Sequence, residues 1–347
     1  MSVPADAIPG GRVSGQRVSD LERELTQTEA TGERLQAFVA QCRTRGIFDR
    51  FDEADRKAQK LQRTHRWTVG LSVFFGSVAL AVGLVQLAWH EDSRGWAPAA
   101  ELVSIVLAVV CVTVGYLFEQ HEGWLLWRYK AERYRQLVFE NLVHPQLWRS
   151  APPTLEQWTA LFEPPMDRIL LLKKTSLPDE ACEEPLPLLA TLERGELAES
   201  SLPSLVDFYR RARIESQKSY FNKKAHQDER LLSSPRLVPL IFLLSVIAVV
   251  LHLALEAARK EEASLVFLFV AALLPVLLMA LKTWKAAVEY SRNASRAKAK
   301  VAGLSALAGT LSVREPARLF STLAVTEALL ASEQREWLRL MIDAEWI

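Results

Sequence analysis

The stretch WTVGLSVFFGSVALAVGLVQLAW, residues 67–89, runs for 23 residues without a formal charge. As a helix it is about 34 Å long, against a hydrocarbon core of roughly 30 Å. Eleven of its residues are Leu, Val or Phe, which together favour insertion by about 3–7 kcal/mol. A second charge-free run, LVSIVLAVVCVTVGYLF, covers residues 102–118. The turn between them, His90 to Pro98, is too short to hold a domain. Trp67, Trp89 and Trp96 stand at the boundaries, as an interfacial belt requires. A buried hairpin of a soluble protein keeps a polar face, and here that face is missing. Both runs read as membrane spans, placed at 67–89 and 99–118.

On either side the chain turns polar. Residues 1–18, rich in Pro, Gly, Ser and Val, read as a disordered arm. Ser19 with Glu22 is a capping-box pattern that predicts a helix to about Arg45, where Gly46 interrupts. Ile47, Phe51, Ala54, Ala58 and Leu61 then form one apolar seam on a charged rod. No Pro or Gly separates that rod from Trp67, so residues 47–90 read as a single helix. Beyond Phe118, Trp127, Ala131, Tyr134 and Val138 form a matching seam, ending near Pro145. The two seams predict a paired stalk below the hairpin.

Residues 150–204 hold 8 of the 16 prolines and read as a Pro-rich linker, with short helices around 155–162 and 187–194. The pattern then repeats. A basic helix from Ser204 to Leu232 leads to a third span at 237–256, a short turn and a fourth span at 263–281. The spacing Trp127, Glu132, Arg135 recurs as Trp284, Glu289, Arg292. The expected organisation is two tandem hairpin units, 19–149 and 205–347, in an all-α membrane protein.

Charge sets the expected orientation. Residues 47–66 hold six Lys or Arg and 119–138 hold four, against one in the first turn. Residues 217–236 hold five and 282–301 six, against two in the second turn. The positive-inside rule places both turns outside and both termini in the cytoplasm. The net charge of +1 gives no reason to expect nucleic acid. Cys42, Cys111 and Cys182 lie far apart, without disulfide or zinc spacing. No phosphate loop, nucleophile elbow or zinc-protease motif is present. An enzyme and a resident cofactor or metal are therefore not expected.

The candidate functional residues lie on the spans and stalks. Ser72, Gly76, Ala79, Gly83 and Gln86 share one side of the first span; Ser104, Ala108, Cys111 and Gly115 share one side of the second. Such stripes let backbones approach closely. They either pack within one hairpin or meet other subunits around a conduit. Gln86 is an amide deep in hydrocarbon that needs a partner or water. In the third span Ser245, Ala248, His252 and Glu256 align, and an ionisable His252 near the outer interface either bonds a neighbour or acts functionally. Pro275 predicts a kink, as a hinge or merely as shape. Glu132 with Arg135, and Glu289 with Arg292, are surface pairs or shared stalk contacts. Glu327, Leu330, Glu333, Trp337, Leu340 and Met341 make a last amphipathic helix suited to docking on another helix.

Three stretches carry a family resemblance: Phe48–Phe51 (FDRF) through Trp67; Ala131–Arg135 (AERYR) with Val138–Glu140, closing at His144–Trp148 (HPQLW); and Glu327 through Leu338 with Glu333, Arg335 and Glu336. They resemble the SLATT group, two-transmembrane effector domains associated with nucleotide second-messenger synthases and SLOG sensors. The tail is similar to that of the second SLATT variety, and the likeness covers roughly residues 45–150 and 205–345. It implies a bacterial inner-membrane effector, multi-pass, that oligomerises with itself and forms a pore or perturbs the bilayer in antiphage conflict. The chain has no glycine-rich sensor domain, so a separate nucleotide-sensing protein is the implied trigger, unless the stalks bind the signal. The family carries no catalytic residues to transfer. A non-conducting membrane scaffold is the rival reading, and a small transporter built as a repeat is a weaker third.

Overall fold

The computed structural model describes residues 20–27, 32–88, 95–118, 120–151, 153–182, 198–232, 237–287, 290–311 and 315–343. The arm at 1–18, the tip of the first turn and the expected helix at 187–194 lie outside the described residues. Every regular element described is helical. Among the described residues, four helices are long and apolar enough to cross a membrane. The protein is an all-α membrane protein.

Two short helices come first, α1 (Asp20–Gln27) and α2 (Glu33–Thr44), in place of one continuous helix. Gly46 follows α2 with φ of 68°, a left-handed conformation that glycine adopts without steric cost. Its amide donates to the Arg43 carbonyl at 3.0 Å, closing the turn. The chain then rises through α3 (Ile47–Ala88), 42 unbroken residues that join the charged rod to the first span. The second span is α4 (Ala97–Leu117), started by Pro98 in its first turn. The chain descends through α5 (Gln120–Leu142), which packs against the lower half of α3 as the seams predict.

The Pro-rich stretch differs from expectation. Helix α6 (Leu155–Leu171) runs for 17 residues and contains Pro164 and Pro165 inside it. A proline in a helix interior costs about 3 kcal/mol, so something stronger holds α6 together. Trp158, Phe162, Met166 and Ile169 form a buried face. The Trp158 and Phe162 rings lie 6.2 and 6.0 Å from that of Phe38 on α2. Thr154 and Gln157 cap the start reciprocally, each backbone amide donating to the other's side chain. After α7 (Leu177–Cys182) and residues 183–197, the chain resumes at Ala198. The described part of 150–204 is thus core, not tether, because its apolar stripe finds a partner surface the proline count does not reveal.

The second half begins with α8 (Leu202–Tyr209), a π turn at Arg210–Glu215, and α9 (Ser216–Leu232). The spans α10 (Leu237–Ala257) and α11 (Glu261–Ala287) form the second hairpin. Pro275 lies inside α11 and does not end it. Helix α12 (Tyr290–Thr310) descends against α9, and α13 (Pro316–Asp343) packs on α5 and α7. The hairpins also meet directly, α11 against α3. Below the spans one core gathers Phe38, Phe51, Phe139, Phe162, Phe208 and Tyr209 from both halves.

Candidate functional site

Among the described residues of the spans, those buried are Ala79, Ala97, Ser104, Ser245, Ala248, Ser264 and Ala271. All are small, which allows the close helix approach that dispersion rewards in lipid. The candidate stripe residues divide accordingly. A side chain added at Gly115 would lie 3.4 Å from the Thr68 methyl, so this glycine marks a close α3–α4 contact. One added at Gly83 would lie 3.5 Å from the Glu101 carboxylate, whereas Gly76 faces open space. Ser72 donates back to the Val69 carbonyl at 2.8 Å, and the buried Ser104 to Ala100 at 2.8 Å. Cys111 is a half-buried free thiol.

Each hairpin has a polar clasp towards its turn. Gln86 Nε2 donates to Glu101 Oε2 at 2.7 Å, joining the end of the first span to the beginning of the second. His252 Nδ1 lies 2.7 Å from Ser264 Oγ and 3.0 Å from the Ser264 carbonyl, joining the third span to the fourth. His252 Nε2 also faces Glu256 at 3.6 Å. A further tie is Ser245 Oγ, which donates to the Ala271 carbonyl at 2.8 Å. Gln86 and His252 therefore each tie their own hairpin. Glu101 was not among the candidate residues; it lies a full turn inside α4.

The most concentrated chemistry lies below the spans. Arg213 in the π turn forms a bidentate pair with Glu327 on α13, Nη2 to Oε2 at 2.7 Å and Nε to Oε1 at 3.0 Å. Their side chains are 3% and 1% exposed. Tyr209 donates its hydroxyl to Glu327 Oε1 at 2.6 Å. The guanidinium lies 4.3 Å from the centroid of Phe139 on α5. Burial and the Glu327 charge push the Tyr209 hydroxyl well above its ordinary range, so it stays a donor. Burial opposes the charge on Arg213, but Glu327 outweighs it and raises its pKa. π turns recur at functional positions in helices, and this one aims Tyr209 and Arg213 at the same carboxylate.

Glu132 extends the network along α5. Its Oε1 accepts from Arg128 Nη2 at 2.5 Å and from Arg135 Nη1 at 3.1 Å. Arg128 also reaches Asp55 on α3 at 3.2 Å. Burial opposes ionisation of Glu132, but the charges of Arg135, Arg128, Arg213 and Lys300 prevail and hold its pKa near about 2. On α12, Lys300 pairs with Glu333 of α13 at 2.7 Å, and Gln136 donates to Gln334 at 2.5 Å. Glu132 and Arg135 thus pair along one helix, and it is Arg128 that carries this ion network across to α3. Glu289 lies outside the described residues, as does the side chain of Arg292. Among the described residues no group of three or more His, Cys, Asp or Glu is placed to hold a metal.

A signal for Glu327 exists in the sequence. Leu319, Leu323, Glu327, Leu330, Gln334, Leu338 and Met341 are all buried and follow a helical 4-4-3-4-4-3 spacing. A charge and an amide on an apolar stripe need buried partners. Arg213, inside a basic helix, carries no comparable mark.

Fold and network together define a four-span membrane protein whose hairpins are joined through a charged core beneath the bilayer. Residues 209–337 match the family model of SMODS and SLOG-associating 2TM effector domain 1, a SLATT model. The match runs from Tyr209 through Trp337, so the Tyr209–Arg213–Glu327 cluster lies wholly inside it. The matching model is that of the first SLATT variety, where the tail alone suggested the second. No curated protein and no solved structure matches the chain.

Proposed function

We propose that the chain is a bacterial inner-membrane effector that oligomerises and opens a pore, or otherwise perturbs the bilayer, in a nucleotide-signalled antiphage conflict system. One observation carries this reading. The buried Arg213–Glu327 pair ties the helix that leads into the third span to α13, which also packs on the helix leaving the second span. A partner that draws α13 away breaks this pair and releases both hairpins at once. The matched SLATT domain supports the effector class, and the charge asymmetry supports termini on the cytoplasmic side. The trigger is a separate nucleotide-sensing protein acting on the stalks, and the reading includes no catalytic step.

Dye release from liposomes carrying the purified chain tests it. Release is expected on adding a cyclic oligonucleotide together with its sensor protein, and a decrease in Gln86→Leu, which unties the first clasp. No release under any condition, with protein verified in the bilayer, overturns the pore and leaves a scaffold.

A further inference from the structure

Helix α6 buries one face in the core, yet its C-terminal end is apolar and exposed. Leu170 is 46% and Leu171 76% exposed, and Lys173 and Lys174 follow after the buried Leu172. Single exposed leucines are ordinary on protein surfaces, so their position decides their meaning. The segment is held against the upper part of α5, the end that adjoins the membrane. Lys130 Nζ donates to the Leu170 carbonyl at 3.1 Å. A side chain added at Gly123 would lie 4.0 Å from Lys174 Cε.

Gly123 comes five residues after Phe118, the end of the second charge-free run, or within about 10 Å along a helical path. The headgroup region on each side of the hydrocarbon is itself about 5–8 Å deep. Aromatic side chains mark the same level. Trp124 meets Trp337 edge-on at 5.9 Å between ring centroids, and His121 Nε2 lies 3.0 Å from the Met341 carbonyl. Trp67, 66% exposed, begins the neighbouring span.

We propose that Leu170–Lys174 is a membrane-surface foot. Leu171 inserts among the headgroups of the leaflet facing the helical domain, and Lys173 and Lys174 engage anionic lipid phosphates. Two properties select a bilayer as the occupant. The exposed Leu171 lies three residues before Lys174, whose side chain reaches Gly123 near the end of the second span, and the adjoining charge is complementary to anionic lipid. The foot gives α6 a second anchor besides its buried face, so the core beneath the spans rests on the membrane as well as hanging from it.

The experiment uses the full chain reconstituted into vesicles, on a Cys111→Ala, Cys182→Ser background that leaves only the buried Cys42. An environment-sensitive fluorophore is attached at L171C or at L155C. Leu155 is 73% exposed at the opposite end of α6, so exposure is matched and only position differs. In vesicles of three parts phosphatidylcholine to one part phosphatidylglycerol, the probe at 171 is expected to emit at shorter wavelength. A shallow nitroxide lipid should quench it several-fold more than the probe at 155. K173E with K174E should remove at least half of that quenching. A probe at 171 that behaves like the one at 155 overturns the foot. Equal quenching in pure phosphatidylcholine overturns its recognition of anionic lipid. Neither result depends on whether a pore forms.

Discussion

The spans and the helical domain beneath them bury opposite kinds of residue. Among the described residues of the spans only Ala and Ser are buried, and large side chains such as Leu102, Phe242 and Leu253 are more than half exposed. Below them Phe38, Phe162, Tyr209 and a bidentate Arg–Glu pair are sealed from solvent. The difference follows from the solvent. A leucine gains nothing by leaving lipid for a protein interior, so span contacts rely on close backbone approach and a few hydrogen bonds. In water the same leucine gains about 1.5–3 kcal/mol on burial. The relative placement of the two hairpins is therefore specified chiefly below the membrane.

The largest test of this contrast is Glu327→Ala. Removing one partner leaves Arg213 charged and buried, which costs about 3–5 kcal/mol. Denaturant unfolding in detergent, followed by circular dichroism, should register that loss. Replacing both partners, Arg213→Met with Glu327→Leu, should recover most of it. A double variant as unstable as the single one would show that the pair is needed for folding itself. Phe162→Ala should cost a similar amount, about 3–5 kcal/mol. A much smaller loss would return α6 to the role of a tether.

Acid should weaken the lower domain through Glu132. Glu132 is held near about 2, below the ordinary value of about 4.3. Its contribution is therefore complete above about pH 5 and is lost as pH falls from about 4 towards 2. Glu132→Gln should flatten the fall in stability over that window. An unchanged profile would separate Glu132 from the network.

Effects in the spans should be smaller. Ser245→Ala removes one interhelical hydrogen bond, and such bonds average about 0.6 kcal/mol in a membrane protein. Val250→Ala, at a site 59% exposed, should change unfolding free energy least of all. A loss there above about 1 kcal/mol would mean that Val250 faces a second subunit rather than lipid.

The sequence is most legible where one rule acts alone. A charge-free run of 23 residues can be satisfied only in lipid, so the first span was readable without coordinates. The continuity of α3 and the pairing of its seam with α5 followed from periodicity. The reading failed where two rules compete. Pro164 and Pro165 indicate a break, and only the burial of Trp158 and Phe162 against Phe38 shows why α6 continues. The Gln86 amide visibly lacked a partner, but Glu101 was identified as that partner only by the geometry.

The sequence by itself determined what each segment could dissolve in, because hydration and insertion energies belong to local composition. Only the tertiary structure decided which charges meet. Tyr209 and Arg213 are more than a hundred residues from Glu327, and no local pattern encodes a partner that distant. Their union depends on how α8, α5 and α13 cross, and shape complementarity across the whole core sets that crossing.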